Sequence, residues 1–278
     1  MPKVKVDDIK IYYEIKGEGF PLVMIQGICC NLEWWDPRLI EALSKIFRLI
    51  VFDNRGTGRT EISDKKYSMK LFADDTANLM EALDISRAHI LGISMGGMIA
   101  QELVLNHPQK VAKLILCSTG ARWCFGQEAS RIFASLTELP QEKLTEMILA
   151  QKIASNFPND FVKKRPFAIF LFTSDYVRKH SDSVEHLFSR AAKYPISKEV
   201  WNRQLNAIRE FNSQARLKKI EVPTLILHGR KDVEIPPKNA AILAKAIPHA
   251  KLVHLEKSAH CLTEEMTELT TILKEFLV

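Results

Sequence analysis

The sequence predicts an α/β protein, a mostly parallel sheet with helices on both faces, interrupted by one helical insertion. Three observations carry that prediction. Through the first 120 residues, short apolar runs rich in β-branched residues alternate with longer amphipathic stretches. From about Ala121 to Lys219 the strand signals fade and helical periodicity continues alone. From Val222 the earlier alternation resumes and runs to the C-terminus. An α/β core made of residues 1–120 and 220–278, with a helical cap at 121–219, is the economical division.

The expected strands, in order, are "KVKVDD", "IKIYYEIKG", "PLVMIQG", "FRLIVFDNR", "AHILGIS", "KLILCST", "PTLILHG" and "KLVHLE". The first two alternate as an antiparallel hairpin at the sheet edge. The later ones are near-continuous apolar runs, as strands buried on both faces should be. Between them "PRLIEALSKI" and "SMKLFADDTANLMEALD" read as helices. In the second, Leu71, Ala77, Leu79 and Leu83 form the apolar face, with acidic residues opposite. The middle segment offers "EASRIFASLTEL", "QEKLTEMILAQKIA", "DSVEHLFSRAAKY" and "SKEVWNRQLNAIREF". The last has Trp201, Leu205 and Ile208 at helical spacing behind Ser197 as N-cap. "PKNAAILAKAI" and "EEMTELTTILKEFLV" complete the set. The insertion is expected over the carboxyl ends of the strands, where open α/β sheets build their sites.

Composition narrows the class. The chain has 278 residues, 46% hydrophobic and 26% charged, which is ample for a sizeable core. No apolar run reaches the roughly 18 residues of a membrane span. The N-terminus "MPKVKVDDIKIYYEIKG" has neither the apolar stretch nor the cleavage site of a signal peptide. Five cysteines, Cys29, Cys30, Cys117, Cys124 and Cys261, show no paired or metal-ligand spacing, so a reduced, cytoplasmic setting without metal is expected. The net charge of +6 is unevenly spread. Residues 121–219 hold 17 Lys and Arg against 10 Asp and Glu, a balance of +7, and the remainder is at −1.

The chemistry is concentrated in "HILGISMGGMIAQELVL". Gly92-Ile93-Ser94-Met95-Gly96 sits where a strand turns abruptly into a helix, the context of a nucleophile elbow. Such a turn exposes the Ser94 hydroxyl, and Gly92 and Gly96 leave room for neighbouring backbone that a Cβ would strike. The bland alternative is a glycine-rich helix start with serine as its cap. A serine hydroxyl attacks only if a base accepts its proton. Asp232, in "HGRKDVEIP", and His260, in "EKSAHCL", each follow a strand, so Ser94, Asp232 and His260 come in nucleophile, acid, base order on loops at one sheet edge. Glu234 is the rival for the acid, ranked lower because it lies further into the loop. His228 and His254 fall within strands and read as packed. The oxyanion donors are expected to be the backbone N–H groups of Met95 and Ile28, with Gly27 letting the second loop approach closely.

These residues amount to a resemblance. "GISMGG", "DNRGTGRT", "MIQGICCNLEWW", "PTLILHGRKD" and "SAH" make the chain similar to the α/β-hydrolase superfamily. Within it, the chain most resembles the branch of microbial carboxylesterases and 3-oxoadipate enol-lactonase-like enzymes. The resemblance covers most of residues 20–120 and 220–278. It implies an eight-stranded serine-hydrolase fold with a cap inserted after the sixth strand and no cofactor. It also implies that Asp53 and Arg55 stabilise a loop rather than take part in chemistry. Where the family usually has His-Gly, this chain has Gln26-Gly27.

Substrate is less specified. Gln26, Trp34, Trp35, Met95, Met98, Phe125 and Phe133 are candidates for a substrate pocket, with a packing role the alternative for each. The reading is a serine esterase for short to medium acyl esters. Acyl-CoA thioesters and enol-lactones are alternatives within the class, and a non-catalytic binding protein is the alternative outside it. The basic excess, including Lys163, Lys164, Arg165, Arg216, Lys218 and Lys219, is either a solvated helical surface or a positive mouth gathering anionic ligands such as coenzyme A. No nucleic-acid motif accompanies it. As a base, His260 should give activity that rises through pH 6–7, where an ordinary imidazole becomes neutral.

Overall fold

The computed structural model describes residues 2–135 and 139–278. Eight strands form one sheet: β1 (Lys3–Val6), β2 (Ile9–Lys16), β3 (Phe20–Ile25), β4 (Phe47–Phe52), β5 (Ala88–Ile93), β6 (Val111–Cys117), β7 (Thr224–Gly229) and β8 (Lys251–Leu255). Their spatial order is β1-β2-β4-β3-β5-β6-β7-β8. The pairs β1–β2 and β2–β4 are antiparallel and all others parallel.

The strand residues explain the layering. Side chains alternate across a sheet, so an unbroken apolar run feeds two cores at once. Val23, Ile25 and Ile226 belong to one core, while Leu22, Met24, Leu225 and Leu227 belong to the other. The first core takes helices α2 (Met69–Ala82) and α3 (Met95–Asn106). The second is closed by α1 (Pro37–Ser44) through Leu39 and Leu43. Helix α1 starts where Asp36 caps the N–H of Arg38 at 2.8 Å with Pro37 in the first turn, a local pairing of sequence and geometry. Helix α3 is buried from Met95 to Val104, with its two polar members there hydrogen-bonded, Gln101 to Gly97 C=O and Glu102 to Arg216.

Between β6 and β7 the described residues form the helices α4 (Gln127–Ser135), α5 (Gln141–Leu149), α6 (Asn159–Lys164), α7 (Ala168–Leu171), α8 (Ser174–Lys179), α9 (Ser181–Ala191) and α10 (Lys198–Glu210). The end of the first expected helix of this segment, at 136–138, lies outside the described residues. The short α6, α7 and α8 were not legible in the sequence, because each is too brief to show a period. Helix α10 begins as expected, with Ser197 Oγ accepting from Val200 N–H at 3.2 Å. The two ends of the segment are clamped together: Ser213 N–H donates to Ala121 C=O at 2.8 Å, beside a bridge between Arg122 and Asn212. After β7, α11 (Lys238–Ala246) packs on the first core, and α12 (Met266–Leu277) packs beside α1 on the second.

Within α2, Asp75 is buried and receives Arg55 through two hydrogen bonds of 2.8 and 2.6 Å. Arg55 is itself fully buried and also holds Asp8 at 3.0 and 2.9 Å. Asp53 accepts from the N–H groups of Leu32 and Arg59. Both residues thus tie the loop after β4 to its neighbours. Among the described residues, no helix is long and apolar enough to cross a membrane.

Candidate active site

The strand order places the site. The chain passes from β3 to β4 on one side and later returns to β5 on the other side of β3, so the loops after β3 and β5 are left adjacent at the carboxyl edge. The loop after β3 carries Gly27 and Ile28, and the turn after β5 carries Ser94.

Ser94 adopts φ +57° and ψ −124°, a strained conformation for a residue with a side chain. The turn is possible because its neighbours have none. A Cβ on Gly92 would lie 2.2 Å from the carbonyl oxygen of Gly96, and one on Gly96 would lie 2.1 Å from that of Ile25. The turn is held by Ser94 N–H donating to Cys117 C=O at 3.0 Å and by Thr119 Oγ1 donating to Ser94 C=O at 2.7 Å. Ser94 caps α3 by position, but its hydroxyl makes no capping hydrogen bond. The bland reading of this serine as a helix cap therefore fails.

Asp232 and His260 meet as their loops suggest. His260 Nδ1–H donates to Asp232 Oδ2 at 2.8 Å, and both side chains are buried. Asp232 Oδ1 accepts from Ile235 N–H at 2.9 Å, which fixes the carboxylate plane. His228, expected to be merely packed, is fully buried, with Nε2 3.2 Å from the same Asp232 oxygen and 2.8 Å from Ile235 C=O. Burial raises the Asp232 carboxyl, but the charge of His260 and hydrogen bonds from His228 and His260 outweigh it, so it lies below the ordinary range.

Glu234 does not compete for Nδ1. Its Oε1 lies 3.6 Å from His260 Nε2, the opposite ring nitrogen. Burial pushes its carboxyl up to about 7, with His260 opposing and Asp232 adding to the rise. For His260, burial acts to lower the imidazole, but the charges of Glu234 and Asp232 and the Asp232 hydrogen bond override it and push it up to about 9. That is above the ordinary histidine range, because two carboxylates rather than one flank the ring.

Ser94, Glu234 and His260 line one cavity of about 380 Å³. Ser94 Oγ and His260 form no hydrogen bond among the described residues; such contacts commonly tighten only when substrate is bound. Gln26, Ile28, Trp34, Trp35 and Phe133 line the same cavity, whereas Met95, Met98 and Phe125 do not. Met98 is fully buried in the first core and makes no wall. Its apolar walls come both from the inserted segment, with Phe167, Phe170, Leu187 and Phe188, and from the core, with Leu39, Leu91, Met266, Leu269 and Leu273.

The loop carrying Ile28 is held from both sides. Gln26 Oε1 accepts from Gly27 N–H at 3.1 Å, and Asn54 Nδ2 donates to Gln26 C=O at 3.1 Å. Gln204 of α10 is fully buried and accepts from Cys29 N–H at 2.7 Å, while its Nε2 donates to Thr57 Oγ1 at 3.0 Å. Asn31 Nδ2 donates to the carbonyls of Ala191 and Tyr194, at 2.9 and 3.2 Å. Ile28 N–H and Met95 N–H donate to no group among the described residues. The sequence reading missed Gln204, although a polar residue four before Ile208 on the buried stripe of its helix was the available signal. The five cysteines are free; burial raises the thiols of Cys29, Cys30 and Cys261 in the cavity wall, which keeps them protonated.

A family profile described as the alpha/beta hydrolase fold matches residues 21–266. The chain belongs to the α/β-hydrolase family. A RutD protein of Azorhizobium caulinodans, named as a candidate carbamate hydrolase, is 28% identical over 94% of this chain and 91% of its own. The solved enol-lactonase of Burkholderia xenovorans LB400 superposes with a TM-score of 0.82 at 25% identity, covering 99% of both chains. A malate-bound esterase from Thermogutta terrifontis gives 0.79 at 25% identity, covering 100% of this chain and 98% of its own.

Proposed function

We propose that this α/β hydrolase is a serine esterase that cleaves carboxylic esters through an acyl-enzyme. Ser94 attacks the carbonyl carbon while His260 Nε2 takes its proton, and the same proton then passes to the departing alcohol. Water repeats the sequence to release the acid. Asp232 keeps the proton on Nδ1 and so leaves Nε2 free to accept. The N–H groups of Ile28 and Met95 would hold the oxyanion.

The single observation that carries this reading is the strained, uncapped Ser94 sharing a cavity wall with a buried His260–Asp232 pair. A protein that only binds its ligand has no use for a base set behind a strained serine. The apolar walls favour an acyl chain, and an enol-lactonase and an esterase among the solved relatives both fit ester chemistry. A lactone is an internal ester and needs no other machinery.

Phosphate-bearing thioesters are a weaker fit. No Lys or Arg lines the cavity among the described residues, Arg165 pairs with Glu185, and Arg216 pairs with Glu102 near the far end of α3.

Turnover of a graded panel of 4-nitrophenyl esters, lactones and acyl-CoA thioesters tests the proposal. Ester hydrolysis abolished by Ser94→Ala is expected. Hydrolysis that survives Ser94→Ala would overturn it.

A further inference from the structure

Among the described residues, Glu234 is the one carboxylate in the cavity wall without a committed partner. Asp36 also lines the cavity, but it is bound by Arg38, with Nη2 at 2.7 Å and Nε at 3.0 Å. Glu234 is 3% exposed and its carboxyl accepts no hydrogen bond among the described residues; its charged neighbour is His260 Nε2 at 3.6 Å. That neighbour is a cation only while the imidazole is protonated. In the form that can act as a base, His260 is neutral, and Asp232 and Glu234 leave two negative charges with no Lys or Arg side chain of the described residues on the cavity wall to offset them. An isolated buried carboxylate is costly and is normally paired.

Aromatic side chains line the same cavity as this carboxylate. Trp34, Phe133, Phe167, Phe170, Phe188 and Trp201 line the cavity, with Trp34 edge-on to Phe188 at 5.1 Å and Phe133 edge-on to Trp201 at 5.7 Å. Aromatic walls with a carboxylate and no competing base are the chemistry that recognises organic ammonium ions, which pair with the charge and lie on the ring faces. An inorganic cation suits this cavity less well, because its walls offer few oxygen ligands.

From this arrangement we propose that Glu234 is a specificity-determining residue, which makes the cavity select esters bearing an ammonium group near the scissile bond and reject those bearing a carboxylate there. This rests on the esterase reading for its substrate, but the recognition itself does not require turnover. The ammonium takes the place of the imidazolium as counter-ion to Glu234, so the preferred substrate also favours His260 in its base-competent form.

The test is calorimetric titration of the full chain with tetraethylammonium chloride, against sodium chloride at equal ionic strength. Wild type and Ser94→Ala should both bind the organic cation, and Glu234→Gln should weaken binding on the order of tenfold or more, as loss of a desolvated charge partner implies. Glu256→Gln, which removes the same charge from an exposed site, should leave binding unchanged. In turnover, acetylcholine should be preferred to its neutral carbon isostere, dimethylbutyl acetate, and the preference should collapse in Glu234→Gln. No binding by wild type, or equal binding by Glu234→Gln, overturns the assignment. Cation binding without any ester turnover would sustain it and sink the esterase reading instead.

Discussion

Replacing Glu234 by Gln should move the pH dependence of turnover downward by at least about one unit. The charge of Glu234 lies 3.6 Å from His260 Nε2, inside a buried site. At an effective dielectric constant near 20, two unit charges at that separation attract by about 5 kcal/mol. At roughly 1.4 kcal/mol per pH unit, the ceiling on the shift is about three units. Asp232 remains beside the ring in the variant and still raises His260 against the effect of burial, so the limb should settle near the ordinary histidine range. The sign follows from the role: the imidazolium cannot accept a proton from Ser94, so activity appears as pH rises through the pKa of His260. In the wild type that limb should lie near pH 9, and in Glu234→Gln nearer the ordinary histidine range. The assay is kcat/KM for a neutral 4-nitrophenyl ester between pH 5 and 10, corrected for spontaneous hydrolysis, since that ratio reports groups of the free enzyme. A wild-type limb near pH 6.5, or limbs that coincide in the two proteins, would refute the reasoning.

Three further outcomes follow from the geometry. His260→Ala should lower kcat by several orders of magnitude, leaving a residual of roughly 10³–10⁴-fold over water from the oxyanion donors and binding; a loss below tenfold in a steady-state assay would remove His260 from the role of base. Gln204→Ala frees Cys29 N–H and loosens the loop that presents Ile28 N–H, so kcat should fall about 10- to 100-fold with KM little changed, below the full effect of losing one donor. Equal effects on kcat and KM, or none, would show that this loop does not depend on the inserted segment. Arg55→Ala leaves Asp75 buried without its partner and should cost about 3–5 kcal/mol, lowering the melting temperature by roughly 10 °C in a scanning calorimeter.

The sheet was legible because its strands are short apolar runs between helices, and because parallel strands buried on both faces leave little ambiguity of period. The turn at Ser94 was legible too, since two glycines around a serine at a strand-to-helix junction meet a steric demand that few other sequences satisfy. Asp232 and His260 could be placed by chain order and by their position just past β7 and β8. Contacts that depend on tertiary packing were not legible. Glu234 was weighed only as a substitute for Asp232, because sequence cannot show which side of an imidazole ring a carboxylate will face. His228 lies four residues before Asp232 and turns back onto it only because the loop after β7 reverses. Gln204 is 175 residues from the loop it holds. Met98 and Phe125 looked like pocket residues by type alone, and packing directed them elsewhere.

The most direct measurement of the central claim is intact-mass and peptide mapping after reaction with a fluorophosphonate probe. One adduct per chain is expected, located on Ser94, absent from Ser94→Ala and formed far more slowly by His260→Ala. An adduct located elsewhere, or labelling unaffected by loss of the imidazole, would contradict the account.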